Sequence, residues 1–185
     1  GLYTYDPETN SYQQIIKHDP ENQELNVWQV VEDKTNNLYW FITEKSALSY
    51  DLLSRKIQDR IDFSSYFNKI DVLYNVRVLN DRLVFLTRAG TFIYDTNLKL
   101  LTLLPKLKES DLPEYKFNAA ESAKSYDIAL VGQDYYLGTN DGVLQFTEQN
   151  LASFLRKQSP SISYNIAIEN ISIWQLKVLE DTVYA

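Results

Sequence analysis

Thr43-Glu44-Lys45-Ser46-Ala47-Leu48-Ser49-Tyr50 recurs as Thr87-Arg88-Ala89-Gly90-Thr91-Phe92-Ile93-Tyr94 and again as Thr139-Asn140-Asp141-Gly142-Val143-Leu144-Gln145-Phe146. In each copy a threonine stands seven residues before an aromatic, and a small residue lies three after the threonine. Apolar residues alternate up to the closing aromatic, as in a half-buried strand. A fourth copy of the tail opens the chain as Gly1-Leu2-Tyr3-Thr4-Tyr5-Asp6. The closing aromatics fall at positions 5, 50, 94 and 146, so they are 44 to 52 residues apart. A four-stranded propeller blade takes roughly 40–50 residues. The period therefore predicts an all-β fold of β-propeller blades, each of four antiparallel strands, with about three and a half blades in this chain.

Working outward from the first copy, Val27 to Val31 reads as a strand. A polar turn follows, whose Asn36-Asn37 pair tolerates left-handed backbone. Leu38 to Ile42 is a second strand, Ala47 to Tyr50 a third and Lys56 to Ile61 a fourth. Leu52, Leu53, Ile57 and Ile61 also fit a helical stripe, but the neighbouring units place a strand there. The second unit repeats the order through Leu73–Leu79, Arg82–Leu86, Thr91–Tyr94 and Lys99–Leu104. The third gives Tyr126–Val131, Asp134–Leu137 and Val143–Phe146. Leu2–Tyr5 and Tyr12–Ile16 supply the last two strands of an earlier unit. Asn150 to Lys157 reads as a short helix with Leu151, Phe154 and Leu155 on one face. Residues 17–25 and 106–123 are polar surface connectors.

The chain has 185 residues and an apolar content sufficient for a packed core. Its 14 tyrosines, 8 phenylalanines and 3 tryptophans favour strands. A net charge of −7 with no basic cluster argues against nucleic-acid binding. No apolar run reaches the ~20 residues of a transmembrane helix, and no signal peptide is visible. Without cysteine there is neither a disulfide nor a thiolate metal site. The absence of Met at position 1 and the opening in mid-repeat lead us to expect a piece of a longer protein.

The segment Asn26 to Asp51 resembles the two-component-regulator propeller repeat, and so does Tyr126 to Phe146. In that family a strand ends in an acidic turn, followed by Asn-Leu-Trp-Ile-Gly-Thr, then Gly-Leu and an aromatic-Asp pair. The third unit keeps the Gly-Thr pair as Gly138-Thr139, while Ile42 and Leu86 precede the threonine in the first two. After Phe146, Ile162 to Ile173 resembles the exit into an immunoglobulin-like three-tyrosine domain, with the proline-rich junction reduced to Ser159-Pro160. The resemblance implies a partial propeller over residues 1–157 and a linker or start of the next domain over 158–185. It also implies the periplasmic or extracellular sensor region of a bacterial inner-membrane signalling protein. The kinase or cyclase output would lie outside this chain.

Little in the sequence suggests catalysis. The single histidine, His18, lies in a polar linker with no partner for a zinc site or a triad. Neither a Walker A nor a Gly-x-Gly-x-x-Gly motif is present. Asp6, Asp51 and Asp95 recur at one turn, which is better explained by capping of their own backbone than by acid–base work. Trp40, Val84 and Tyr136 occupy one repeat position and read as packing between blades, and Trp28 reads as a packed strand residue. Trp174 is placed to pack against a following domain. The candidate ligand contacts are therefore the variable hairpin tips, represented by Lys45, Arg88 and Asn140, on loops that propellers commonly use for recognition.

The expected function is a non-enzymatic sensor segment. It would bind a small-molecule or oligosaccharide ligand, or relay such binding to a membrane-linked kinase or cyclase, with no cofactor and no metal. The alternatives are a scaffold for protein–protein interaction and, less favoured, a glycan-active propeller enzyme. Since three and a half blades cannot close a ring, the remaining blades or another copy of the chain are expected as partners.

Overall fold

The computed structural model describes residues 1–18, 24–44, 46–63, 73–88, 90–105, 124–159, 161–169 and 171–185. The chain is nearly all-β and divides into two compact units, residues 1–68 and 69–185.

In the first unit, β1 (Leu2–Asp6) and β2 (Ser11–Ile16) form an antiparallel hairpin. A four-stranded antiparallel meander follows, made of β3 (Val27–Asp33), β4 (Leu38–Thr43), β5 (Ser46–Asp51) and β6 (Lys56–Asp62). Its core gathers Leu25, Phe41, Leu48 and Tyr50, with Leu2, Ile15 and Ile16 of the hairpin packed against them. The ambiguous segment after Leu52 is a strand: β6 pairs with β5 from Asp51–Lys56 to Ser46–Asp62.

The second unit holds two further four-stranded meanders. One runs β7 (Leu73–Leu79), β8 (Arg82–Thr87), β9 (Gly90–Asp95) and β10 (Leu100–Leu103). The other runs β11 (Ser125–Val131), β12 (Asp134–Thr139), β13 (Gly142–Thr147) and β14 (Asn165–Glu169). Helix α1 (Glu148–Leu155) stands between β13 and β14. Thr147 caps it, its hydroxyl accepting the Asn150 N–H. Leu151 and Leu155 enter a core shared with Val84, Ile93, Ile128, Leu144 and Phe146. This helix displaces the outer strand beyond residue 157, where the sequence pattern ends the blade. A last hairpin pairs β15 (Lys177–Leu179) with β16 (Thr182–Tyr184). The connector at 106–123 and the Pro160 junction lie outside the described residues.

The repeat threonine has a definite task. Thr43 Oγ1 donates to the Ser46 carbonyl and accepts the Ser46 N–H, both at 3.0 Å. Thr87 does the same with Gly90, at 2.7 and 3.2 Å. Thr139 donates to the Gly142 carbonyl at 3.0 Å and accepts the Asp141 N–H at 3.1 Å. One hydroxyl thus satisfies two backbone groups that a short hairpin leaves open. Gly90 and Gly142 hold φ of 143° and 147°, a region that a Cβ disfavours.

The recurring turn aspartates cap their own backbone, as the repeat implies. Asp6 accepts the Glu8 N–H, Asp51 the Leu53 N–H, and Asp95 the N–H groups of Asn97 and Leu98. The Thr9 hydroxyl, helped by the Glu8 N–H, holds the Asp6 carboxyl below the usual range. Ser54 and the Leu53 N–H do the same for Asp51. Asn37 and Asn80 take left-handed backbone at φ 54° and 52°.

Candidate functional site

The first strand of every four-stranded sheet carries a bulge near its start. Ladder pairing skips one residue between Val27 and Gln29, between Leu73 and Asn75, and between Ser125 and Asp127. The skipped residues are Trp28, Tyr74 and Tyr126, an aromatic each time. A bulge frees one residue from the ladder and re-aims its side chain. Trp28 is accordingly 51% exposed rather than packed, which corrects the expectation drawn from its place in a strand. Trp40 and Val84, by contrast, are buried as expected.

A bulge also leaves the next backbone N–H without a ladder partner. In the second unit the following polar side chain supplies one. Asn75 Oδ1 accepts the Val76 N–H and Asp127 Oδ1 the Ile128 N–H, both at 2.9 Å. Sequence reading passed over Asp127, although an acidic residue inside an apolar strand was a usable signal. Asp127 is only 1% exposed. Arg77 of β7 clamps it bidentately, Nε and Nη2 each at 2.9 Å, and Asn75 Nδ2 donates at 3.1 Å. Its second oxygen accepts the Leu176 N–H at 2.9 Å. One carboxylate therefore ties β7, β11 and the segment ahead of β15 together. The bond to Asp127 pushes the Arg77 pKa up despite burial, so its charge is secure.

That segment is anchored a second time. The Ile173 N–H donates to the Thr139 carbonyl at 2.8 Å, and the Ile173 side chain lies on Gly138. A Cβ at Gly138 would come within 2.8 Å of Ile173 Cγ2. Ile42 and Leu86 hold the matching position in the other two sheets, paired to Gln29 and Asn75 as Gly138 is paired to Asp127. In the third sheet Ile173 fills the space that a side chain at Gly138 would take. Between the anchors Ile173 and Leu176, Trp174 is held at the surface and is 68% exposed. It stacks on Tyr126 with centroids 4.2 Å apart and planes at 19°. Tyr126 meets Tyr74 edge-on at 5.1 Å. The three rings form a continuous aromatic row on the second unit.

Beside this row runs an open groove of about 780 Å³, lined by Arg77–Leu79 of β7, Ile128–Leu130 of β11, residues 175–178 and Tyr184. The same three chain segments that carry the rings form its walls. Its size lies in the range of small-ligand sites.

A second polar cluster serves the fold. Arg82 donates to Glu148, Tyr135 and Asp95, and the Tyr135 hydroxyl donates to Glu148 at 2.7 Å. Burial is the largest single influence and opposes the Arg82 charge, but the bonds and charges of Glu148 and Tyr135 together outweigh it and raise its pKa. Burial and Glu148 hold the Tyr135 phenol protonated well above its usual range. The cluster locks α1 onto two sheets.

Of the hairpin-tip candidates, Lys45 lies outside the described residues. Arg88 is exposed at the β8–β9 turn. Asn140 is engaged locally: its amide oxygen accepts the Lys124 N–H at 2.7 Å and its own N–H donates to the Lys124 carbonyl. Neither Arg88 nor Asn140 lines the groove. The backbones of His18 and Glu24 form an isolated antiparallel β-bridge. Among the described residues, no group of three or more His, Cys, Asp or Glu is placed to hold a metal ion, and no helix is long and apolar enough to cross a membrane.

No protein-family model matches the chain, and no curated protein does. Among solved structures, the extracellular domain of BT4673 from B. thetaiotaomicron superposes on 99% of the chain with a TM-score of 0.60 and 16% identity. It has been solved under two descriptions, as a one-component system and as a hybrid two-component system. The chain shares its fold. It spans 22% of that domain's length, so it corresponds to about a fifth of such a structure. The extracellular domain of a hybrid two-component system protein of the same organism, BT3049, aligns over 96% of the chain and 28% of its own length, at 14% identity and a TM-score of 0.45.

Proposed function

We propose that this chain is a non-catalytic part of the extracellular sensor region of a membrane-linked bacterial signalling protein, with its sheets acting as blades of a larger propeller. The observation that carries this reading is the fold likeness to the BT4673 extracellular domain along nearly the whole chain. The site supports recognition rather than chemistry. Its one buried carboxylate, Asp127, is fully engaged by Arg77, Asn75 and two backbone N–H groups, so it is poorly suited to accept or deliver a proton. The residues after β14, the outer strand of the third sheet, are read as the passage toward the next domain. Ligand occupancy of the groove would bear on the segment 175–178, which lines it.

The experiment is to replace residues 69–185 in the intact protein with the matching part of another propeller and to measure inducer-dependent output in cells. The reading predicts loss of the response with normal membrane abundance. An unchanged response would sink it.

A further inference from the structure

We infer that residues 173–184 are the first two strands of a further blade, not the start of an immunoglobulin-like domain, and that the open edge of β16 takes a third strand from the residues that follow Ala185. The passage out of the third sheet thus begins as a blade. The sequence from Ile173 to Ala185 runs position for position with Leu73 to Phe85. Trp174 answers to Tyr74, Gln175 to Asn75 and Lys177 to Arg77, while Val178-Leu179 and Asp181 repeat Val78-Leu79 and Asp81 outright. The third sheet aligns in the same way, with Tyr126 and Asp127 at the positions of Trp174 and Gln175.

The backbone carries the same register. Lys177, Val178 and Leu179 pair with Tyr184, Val183 and Thr182. Arg77, Val78 and Leu79 pair with Val84, Leu83 and Arg82, and Ala129, Leu130 and Val131 with Tyr136, Tyr135 and Asp134. The first turn residue is left-handed each time: Asn80 at φ 52°, Gly132 at 60° and Glu180 at 55°. A glutamate rarely enters that region, and its presence there marks a turn set by the repeat rather than by local preference. Leu73 and Asn75 pair with Thr87 and Leu86, so the matching partners of Ile173 and Gln175 are the two residues after Ala185.

Packing repeats too. Ile128 and Tyr135 of the third sheet share a core with Val84 and Ile93 of the second. Their counterparts Leu176 and Val183 pack with Ala129 and Val143 of the third. The polar links step along in the same direction: Asn75 Nδ2 donates to Asp127, and Asp127 accepts the Leu176 N–H. The row of Tyr74, Tyr126 and Trp174 is then one repeat position in three successive blades.

This unit needs an outer strand. β8 and β12 are each covered by a third strand, whereas among the described residues β16 pairs with β15 alone. Val84 is fully buried, while Tyr184 at the matching position is 53% exposed. The chain spans only 22% of the BT4673 domain whose fold it shares, and chain continuity makes the following residues the nearest source of the strand. Spacing says what they should be. Thr87 and Thr139 stand two residues after Phe85 and Leu137, the counterparts of Ala185. Gly90 and Gly142 stand five after, and Tyr94 and Phe146 nine after.

The test uses the intact protein. Its sequence should carry a threonine, a small residue and an aromatic two, five and nine residues after Ala185. Tyr184→Cys together with a cysteine eight residues after Ala185 reproduces the Val84–Ile93 pair. On mild oxidation the two should form a disulfide within one chain, about tenfold more readily than when the second cysteine is moved by one residue onto the opposite face. Thr182→Cys with the tenth residue, matching Arg82–Asp95, serves as a second pair should the first variant fold poorly. Non-reducing peptide mapping reads the linkage. Absence of the three marks beyond Ala185, or no preference between the two cysteine positions, would overturn the blade. A disulfide joining two chains would overturn the source of the strand. Either outcome leaves the sensor reading standing, since that is tested by the cellular response.

Discussion

The hairpin end at Thr43 and the one at Thr139 are built alike and used differently. Both close with a threonine hydroxyl bonded to the residue three positions on. Both sit opposite a bulged first strand with an aromatic at the skipped position. In the first sheet the residue before the threonine is Ile42, fully buried. In the third it is Gly138, and the missing side chain is replaced by Ile173 from a distant part of the chain. The difference teaches where to look in a degenerate repeat. A position that shrinks while its neighbours hold marks a place where something else packs.

The comparison is broken hardest at Asp127. Asp127→Ala should cost about 3–4 kcal/mol in urea denaturation, because it strips Arg77 of its partner and orphans the Ile128 and Leu176 N–H groups. Loss of the Trp174 signal in near-ultraviolet circular dichroism should accompany it. A cost under 1 kcal/mol would mean that the hub does not hold the segment. Next comes Gly138→Leu, which imports the second sheet's residue into the third. It should cost about 2–3 kcal/mol by overpacking against Ile173 and should free Trp174. If Trp174 still stacks on Tyr126 in that variant, the docking account fails. The shared feature is tested by Thr43→Val, Thr87→Val and Thr139→Val, each of which should cost about 1–2 kcal/mol. A much larger loss at one of them would show that the three turns are not equivalent.

The smallest effect is one of pH. Burial raises the Asp141 carboxyl above its ordinary value, partly offset by the Asn140 side chain. A folded acid with a raised pKa lowers stability as pH rises through the window between the ordinary and the raised value, and the penalty is complete above it. Asp141→Asn should therefore raise the thermal midpoint at pH 7, by roughly 1–3 °C, and give no gain at pH 3. A gain that persists in acid would assign the effect to packing rather than charge.

The strands and turns were legible because their causes are local. Thr43, Thr87 and Thr139 bond within their own hairpins, and Asp6, Asp51 and Asp95 bond within their own turns. The bulges were not legible, since an extra residue shifts alternation by one without breaking the apolar run. Strand β14 escaped because α1 stands between it and its partner, outside the period. Gly138 was visible as an exception, but its reason lay in Ile173, and no spacing rule connects the two. Asp127 was hidden for a like cause: its partners Asn75, Arg77 and Leu176 are some fifty residues away in either direction.

The bulged aromatic has an evolutionary consequence. A side chain outside the ladder can be exchanged without moving the register of any strand, and the polar residue after it keeps the backbone closed whatever the neighbour becomes. Each four-stranded sheet thus offers one socket where sequence can drift under selection for a new ligand while the scaffold stays still. Saturation mutagenesis at positions 28, 74 and 126 should find tolerance of folding together with spread in binding, the pairing that lets a repeat architecture acquire new specificities one unit at a time.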